Sequence, residues 1–82
     1  MKILITGGTG TFGKNFLKFL IQNHKKKLKR IVIYSRDEFK QSELSKIYPE
    51  SKFPFLRYYI GDIRDSERLK LALQDIEIVI HA

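Results

Sequence analysis

Gly7, Gly10 and Gly13 stand three residues apart, directly after the apolar run Ile3-Leu4-Ile5 and before a periodic apolar stretch. Glycines at a strand-to-helix turn suit phosphate binding, because they let backbone N–H groups come close to an anion. Gly7 permits the tight turn at the strand end. Gly10 removes a side chain where the backbone must approach a diphosphate, and Gly13 lets the helix pack close to the sheet. The amides around Thr11 and Phe12, at the helix N-terminus, would hold the diphosphate with help from the helix dipole, and the Thr11 hydroxyl offers one more donor. Gly8 and Thr9 read as shaping the turn. A triphosphate loop of the Gly-Lys-Ser/Thr kind is excluded, since Lys14 is followed by Asn15 and Phe16. A turn with no ligand is the alternative, but the strand before and the helix after favour dinucleotide binding.

A second group of residues sorts the dinucleotide. A site for NAD usually carries Asp or Glu at the end of the second strand, accepting hydrogen bonds from both ribose hydroxyls. Here that strand ends Tyr34-Ser35-Arg36. Ser35 can donate to a 2′-phosphate without repelling it, and Arg36 can pair with it through the guanidinium fork and lie against adenine. Lys40, one helical turn on, adds a second positive charge. These residues favour NADP, against the alternative that Arg36 and Lys40 are ordinary surface charges. Asp37 either caps the second helix or contacts a ribose edge. Asp62 is placed to accept from the exocyclic amine of adenine while Ile63 packs on the ring; the alternative is an Asp that caps a turn. Ala82 is small enough for the backbone to pass close to the cofactor ribose. His81 reads as structural and His24 as a surface residue of the basic helix end; neither is a catalytic candidate.

These loops must be brought together by a frame, and the apolar pattern supplies one. Ile3-Leu4-Ile5 reads as a buried parallel strand, because its apolar residues are continuous. Phe12, Phe16, Leu17, Leu20 and Ile21 predict an amphipathic helix over residues 11–27. Ile31 to Tyr34 is the second strand. A helix from Asp37 to about Tyr48, with Phe39, Leu44 and Ile47 facing inward, ends near Pro49. The third strand covers residues 55–60, and Asp65 or Ser66 caps a third helix carrying Leu69, Leu71, Ala72 and Leu73. Residues 77–82 form a fourth strand. The order βαβαβαβ, with right-handed crossovers, predicts an α/β, Rossmann-like doubly wound parallel sheet with strand order 3-2-1-4. Residues 1–82 are expected to be one partial NAD(P)-binding domain, the N-terminal portion of a longer protein whose substrate domain is absent from this sequence.

Composition narrows the classes. The chain has 82 residues, a formal net charge of +7 and no Cys, so no disulfide framework and no thiolate metal site or nucleophile is available. The positive charge is uneven: residues 1–41 hold ten Lys or Arg against two acids, residues 42–82 six against seven. Half of those ten form the run Lys25, Lys26, Lys27, Lys29 and Arg30, where the first helix is ending and basic residues complement its dipole. The run has no interleaved aromatics and no reader motif, so nucleic acid is not the expected partner. No apolar run approaches twenty residues, and no signal-peptide pattern precedes the first strand, so neither a membrane span nor a secretory leader is expected.

The segments Thr6-Gly7-Gly8-Thr9-Gly10-Thr11-Phe12-Gly13, Gly61-Asp62-Ile63-Arg64-Asp65 and Ile78-Val79-Ile80-His81-Ala82 resemble the extended short-chain dehydrogenases/reductases that act on nucleotide sugars. The decapeptide Tyr34-Ser35-Arg36-Asp37-Glu38-Phe39-Lys40-Gln41-Ser42-Glu43 is more discriminating. It resembles the polysaccharide-biosynthesis branch that contains the inverting UDP-N-acetylglucosamine 4,6-dehydratases. The resemblance implies a tightly bound NADP contacted at Gly7, Thr9 to Gly13, Ser35 to Asp37, Lys40, Asp62, Ile63 and Ala82. It implies oxidation of the sugar at C4, loss of water across C5 and C6, and inversion at C5. It also implies a cytoplasmic enzyme with a UDP-N-acetylhexosamine substrate, compatible with a homo-oligomer. Thr11 stands where the family commonly has Ser, and Phe39 where it commonly has Leu. The resemblance implies that the family's Tyr-x-x-x-Lys pair lies beyond Ala82; neither Tyr58 nor Tyr59 can substitute, because neither is followed by a Lys four residues later. The alternatives are a related nucleotide-sugar epimerase or reductase, or a non-catalytic dinucleotide-binding fragment.

Overall fold

In the computed structural model, which describes all 82 residues, four strands and three α-helices alternate. They are β1 (Lys2–Thr6), α1 (Thr11–His24), β2 (Arg30–Ser35), α2 (Glu38–Ile47), β3 (Leu56–Ile60), α3 (Ser66–Leu73) and β4 (Ile78–His81). All strand pairs are parallel and the order is β3-β2-β1-β4, as the sequence predicts. The register sets Ile3 beside both Ile31 and Ile78, and Ile31 beside Leu56.

Parallel strands need crossovers, and right-handed crossovers fix which face each helix covers. The chain moves outward twice, from β1 to β2 to β3, so α1 and α2 fall on the same face. It then returns past β1 to β4, and α3 falls on the other. Side-chain alternation along the strands follows. Ile3, Ile5, Ile31 and Ile33 pack with Leu17 and Leu20 of α1 and Leu44 of α2. Leu4, Val32 and Tyr34 point to the opposite face, where Ala72 of α3 is buried against them.

Three sequence expectations require correction. The first helix does not reach residue 27 as an α-helix: it ends at His24, and Lys25–Lys27 form a single 3-10 turn. Tightening the last turn is a common way to satisfy terminal carbonyls, and here the Leu28 N–H bonds Lys25 O at 3.3 Å. On α2, Leu44 is buried but Phe39 and Ile47 are 73% and 65% exposed. The inward stripe contains Gln41 instead. On α3, Leu71 is exposed, and Ala72 makes the close contact with the sheet.

Candidate functional site

The direction of winding reverses between β1 and β4, and the carboxyl ends of the strands diverge there. Such a switch point leaves a crevice, the usual ligand position in open α/β sheets. A cleft of about 900 Å³ lies there, lined by Gly7, Ser35, Arg36, Asp37, Asp62, Ile63, Arg64, His81 and Ala82 among others. Seven of the thirteen predicted site residues line it. Thr9, Gly10, Thr11, Phe12 and Gly13 do not form its wall; they continue from Gly7 into the first turn of α1. Lys40 does not line it either. It sits on the first turn of α2, with its backbone N–H bonded to Asp37 Oδ1 at 2.9 Å.

The glycine turn is built by backbone contacts. Gly7 has φ +67°, a region that suits glycine, and a Cβ there would lie 2.6 Å from Ala82 O. Its N–H bonds Tyr34 O at 3.1 Å, and Ala82 N–H bonds Thr6 O at 2.9 Å, so β1, β2 and β4 meet around it. Gly13 packs against the backbone of Gly8, 2.7 Å from where its Cβ would be, and so reaches the sheet through that glycine. Gly8 is the residue over the sheet, where a Cβ would meet Ile33 at 3.0 and 3.2 Å and Ile5 at 3.4 Å. The helix therefore approaches the strands through two stacked glycines. At Gly10 a Cβ would meet only Gly7 O, at 3.4 Å, which is ordinary contact. Packing within the chain does not demand a glycine at that position.

The start of α1 is open in another respect. Asp37 and Asp65 cap α2 and α3 with side-chain oxygens, whereas α1 begins at Gly10 with no side-chain cap and no acid in its first turn. Its first amides are thus left for another acceptor, with the dipole favouring an anion. An uncapped helix start behind a turn with room at Gly10 fits a dinucleotide diphosphate.

At the far end of the cleft, Ser35 is buried. Its hydroxyl accepts the Asp37 N–H at 3.0 Å and lies 3.4 Å from Thr9 Oγ1. Asp37 caps α2, so the first of its two sequence readings is the observed one. Asp62 is more heavily engaged than the sequence suggests. Arg64 reaches its carboxylate through Nη2 at 2.8 Å and Nε at 3.1 and 3.2 Å, and donates its backbone N–H at 2.9 Å. Arg36 Nη1 joins at 3.3 Å. The Arg64 hydrogen bonds, reinforced by the two positive charges, hold the Asp62 carboxyl well below the usual carboxylate range. It remains an ionised acceptor at neutral pH. Both guanidiniums are largely exposed, so each is free to exchange partners. Ile63 is half exposed beside them, available to a flat apolar surface.

Three residues of this region were not singled out from the sequence. Arg64 is one, and its only signal was its position two residues after Asp62. Tyr34 is another: fully buried, it donates its phenol to Asp62 O at 2.9 Å and so ties the end of β2 to the loop after β3. Burial, aided by the negative Asp65, pushes that phenol above its ordinary pKa. Gly61 exists for the same contact, since a Cβ there would sit 2.7 Å from the Tyr34 ring carbon bearing the hydroxyl. The third is Gln41, buried beneath the Ser35–Asp37 loop. His81 lines the cleft with its Nδ1 paired to Thr6 Oγ1, in keeping with a structural part.

A parallel sheet in this order, with a glycine turn at its point of reversal, is a Rossmann-like fold. Residues 3–82 match the family described as polysaccharide biosynthesis protein, and the chain belongs to that family, a branch of the extended short-chain dehydrogenases/reductases. It is 52% identical over 80 residues to an inverting UDP-N-acetylglucosamine 4,6-dehydratase of Campylobacter jejuni, covering 98% of this chain and 22% of that protein. A UDP-glucose 4-epimerase of Rickettsia bellii is 41% identical over 81 residues, covering 98% of this chain and 23% of the relative. The crystal structure of Pen from Bacillus thuringiensis superposes with a TM-score of 0.84 at 36% identity, over 99% of this chain and 24% of that one. The chain thus spans less than a quarter of the length of each of these three proteins.

Proposed function

We propose that this chain is the cofactor-binding part of an NADP-dependent UDP-N-acetylglucosamine 4,6-dehydratase that inverts C5. Residues 1–82 would form a partial dinucleotide-binding domain, with the sugar-binding part and the acid–base residues in the remaining length of the enzyme. The intact enzyme is read as cytoplasmic, with a UDP-N-acetylhexosamine as its partner and neither nucleic acid nor membrane. The observation that carries the choice of cofactor is the end of β2. That strand ends at Ser35 with Arg36 next, and the nearest acid, Asp37, uses its Oδ1 to cap α2. The strand-end position itself carries no acid, and Arg36 stands exposed at the cleft wall.

When bound, NADP supplies a hydride acceptor at the sugar C4 and returns the hydride at C6. The residues here bind and orient it. The α1 amides and the turn at Gly7 to Gly13 hold the diphosphate, while Ser35, Arg36 and Lys40 face the 2′-phosphate. Asp62 and Ile63 receive adenine, and Ala82 lets β4 pass the ribose closely.

A second reading, a UDP-sugar 4-epimerase, is favoured by the Rickettsia relative. One experiment separates the two. This chain is exchanged for the matching residues of the Campylobacter dehydratase and, separately, of the Rickettsia epimerase. The expected result is a 4-keto product from UDP-N-acetylglucosamine with the first chimera. Turnover only in the epimerase frame would favour the second reading, and loss of cofactor binding in both would overturn both.

A further inference from the structure

Gln41 is a polar side chain only 4% exposed, in the middle of the inward face of α2. Its Nε2 is directed at the carboxyl ends of two strands. It donates to Tyr59 O at 2.7 Å, and lies 3.3 Å from Ser35 O and 3.5 Å from Ile33 O. Ser35 O also accepts the Gly61 N–H at 2.9 Å, so one carbonyl gathers β2, the loop after β3 and α2. The Gln41 backbone N–H bonds Asp37 O at 3.0 Å. The side chain and main chain of this one residue therefore clamp the Ser35–Asp37 loop from beneath.

We propose that Gln41 is a positioning residue for cofactor choice, setting the loop that presents Ser35 and Arg36 to the 2′-phosphate of NADP. The inference rests on the reading of that loop as the phosphate site. A buried amide is costly unless bonded, and an apolar residue would fill the same space. Leu44 and the β2 isoleucines already give α2 an apolar contact with the sheet. What the amide adds is direction: it bonds carbonyls at the strand ends, where the backbone turns into the Ser35–Asp37 loop. The glycine turn on β1, which would hold the rest of the dinucleotide, makes no hydrogen bond to Gln41. Loss of the clamp thus weakens the hold on the 2′-phosphate while the diphosphate site stays intact. A general packing role would weaken NADP and NAD together.

The test is titration of NADP and NAD against the protein and its Gln41→Met, Gln41→Glu and Arg36→Ala variants, with thermal unfolding recorded for each. Gln41→Met keeps the volume and loses the donor. It is expected to lower the preference for NADP over NAD by about tenfold, with NAD affinity within about threefold of the parent. Gln41→Glu turns the donor into an acceptor facing three carbonyls and carries the same expectation should the methionine variant not fold. Equal weakening of both cofactors, or an unchanged ratio, in the folded variant would overturn the proposal. If Arg36→Ala leaves the ratio unchanged, the phosphate reading itself has failed. If only the Arg36 variant shifts it, Gln41 is a packing residue and the phosphate reading stands.

Discussion

At the scale of single residues, the three spaced glycines are chemically alike but physically different, and substitution separates them. A Cβ at Gly13 would be forced against the Gly8 backbone, and main chain cannot move aside as a flexible side chain does. Gly13→Ala is expected to cost about 1–3 kcal/mol by overpacking, read as a lowered unfolding midpoint. Gly10→Ala meets only Gly7 O at ordinary contact distance and has φ −77°, so stability should change by less than about 1 kcal/mol. The same variant should bind NADP at least about tenfold more weakly, because the added methyl enters the space assigned to the diphosphate. Unchanged binding would remove Gly10 from the site. Asp62 gives the pH-dependent case. Its folded pKa lies below the unfolded one, so the contribution of the ionised carboxylate is fully present above the ordinary value and is lost as pH falls through the depressed one. Carboxyl NMR should therefore find Asp62 still ionised at about pH 3, below the ordinary Asp value. Arg64→Gln should move its titration back towards that value. The glycine spacing was legible because backbone needs dictate residue type. The hold of Arg64 on Asp62 was not, because a long side chain two residues away has many other directions open to it.

Among the elements, α1 and α2 contrast in how readily their buried faces can be read. In α1, Leu17 and Leu20 are enclosed and Phe16 and Ile21 pack against the same cluster, while Phe12 and Phe19 stay exposed. In α2 only Leu44 of the three apolar residues Phe39, Leu44 and Ile47 is buried. At about 100° per residue, Phe39 lies about 140° around the helix from Leu44, whereas Gln41 lies about 60° from it. The sheet takes the Gln41–Leu44 side because the amide can satisfy strand-end carbonyls there, a contact that hydrophobic periodicity does not register. Leu44→Ala should cost about 2–4 kcal/mol, since it empties a fully packed site against Ile31 and Ile33. Phe39→Ser and Ile47→Ser, on the exposed side, should each stay within about 0.5 kcal/mol. Urea unfolding of the three variants decides it; a large loss from Phe39→Ser would restore the simpler sequence reading. Strand order, by contrast, followed from the sequence outright, because continuous apolar runs separated by helices leave parallel pairing with right-handed crossovers as the economical solution.

For the molecule as a whole, the question is whether this chain could carry out the chemistry as well as hold the cofactor. Proton transfer at a sugar hydroxyl calls for a group that titrates near neutral pH or is matched to the reaction by its neighbours. Three of the four tyrosines are engaged elsewhere, and the fourth, Tyr48, lies outside the cleft with its ring packed edge-on against Phe53. Tyr34 is enclosed, bonded to Asp62 O, and raised above its ordinary value by burial. Tyr58 gives its hydroxyl to Tyr48 O at 2.7 Å, and burial pushes it up to about 12. Tyr59 is covered by the Arg68 guanidinium, 5.4 Å from its ring centre, on the face packed by α3. The Tyr-x-x-x-Lys spacing occurs once, at Tyr48 and Lys52, in the turn after α2 and outside the cleft, and Asp62 is held as an ionised acceptor. The cleft is therefore furnished for binding, with two guanidiniums, an ionised carboxylate and an open helix start, and lacks a poised acid–base pair. The lysines of the 3-10 turn do not line it, so the +7 charge bears on the cleft mainly through Arg36 and Arg64. The expected outcome is that these 82 residues alone bind NADP yet form no 4-keto sugar from UDP-N-acetylglucosamine. Product assayed by NMR should appear only when the chain is joined to the rest of a dehydratase. A 4-keto product from the chain alone would require an acid–base group that this arrangement of tyrosines does not provide.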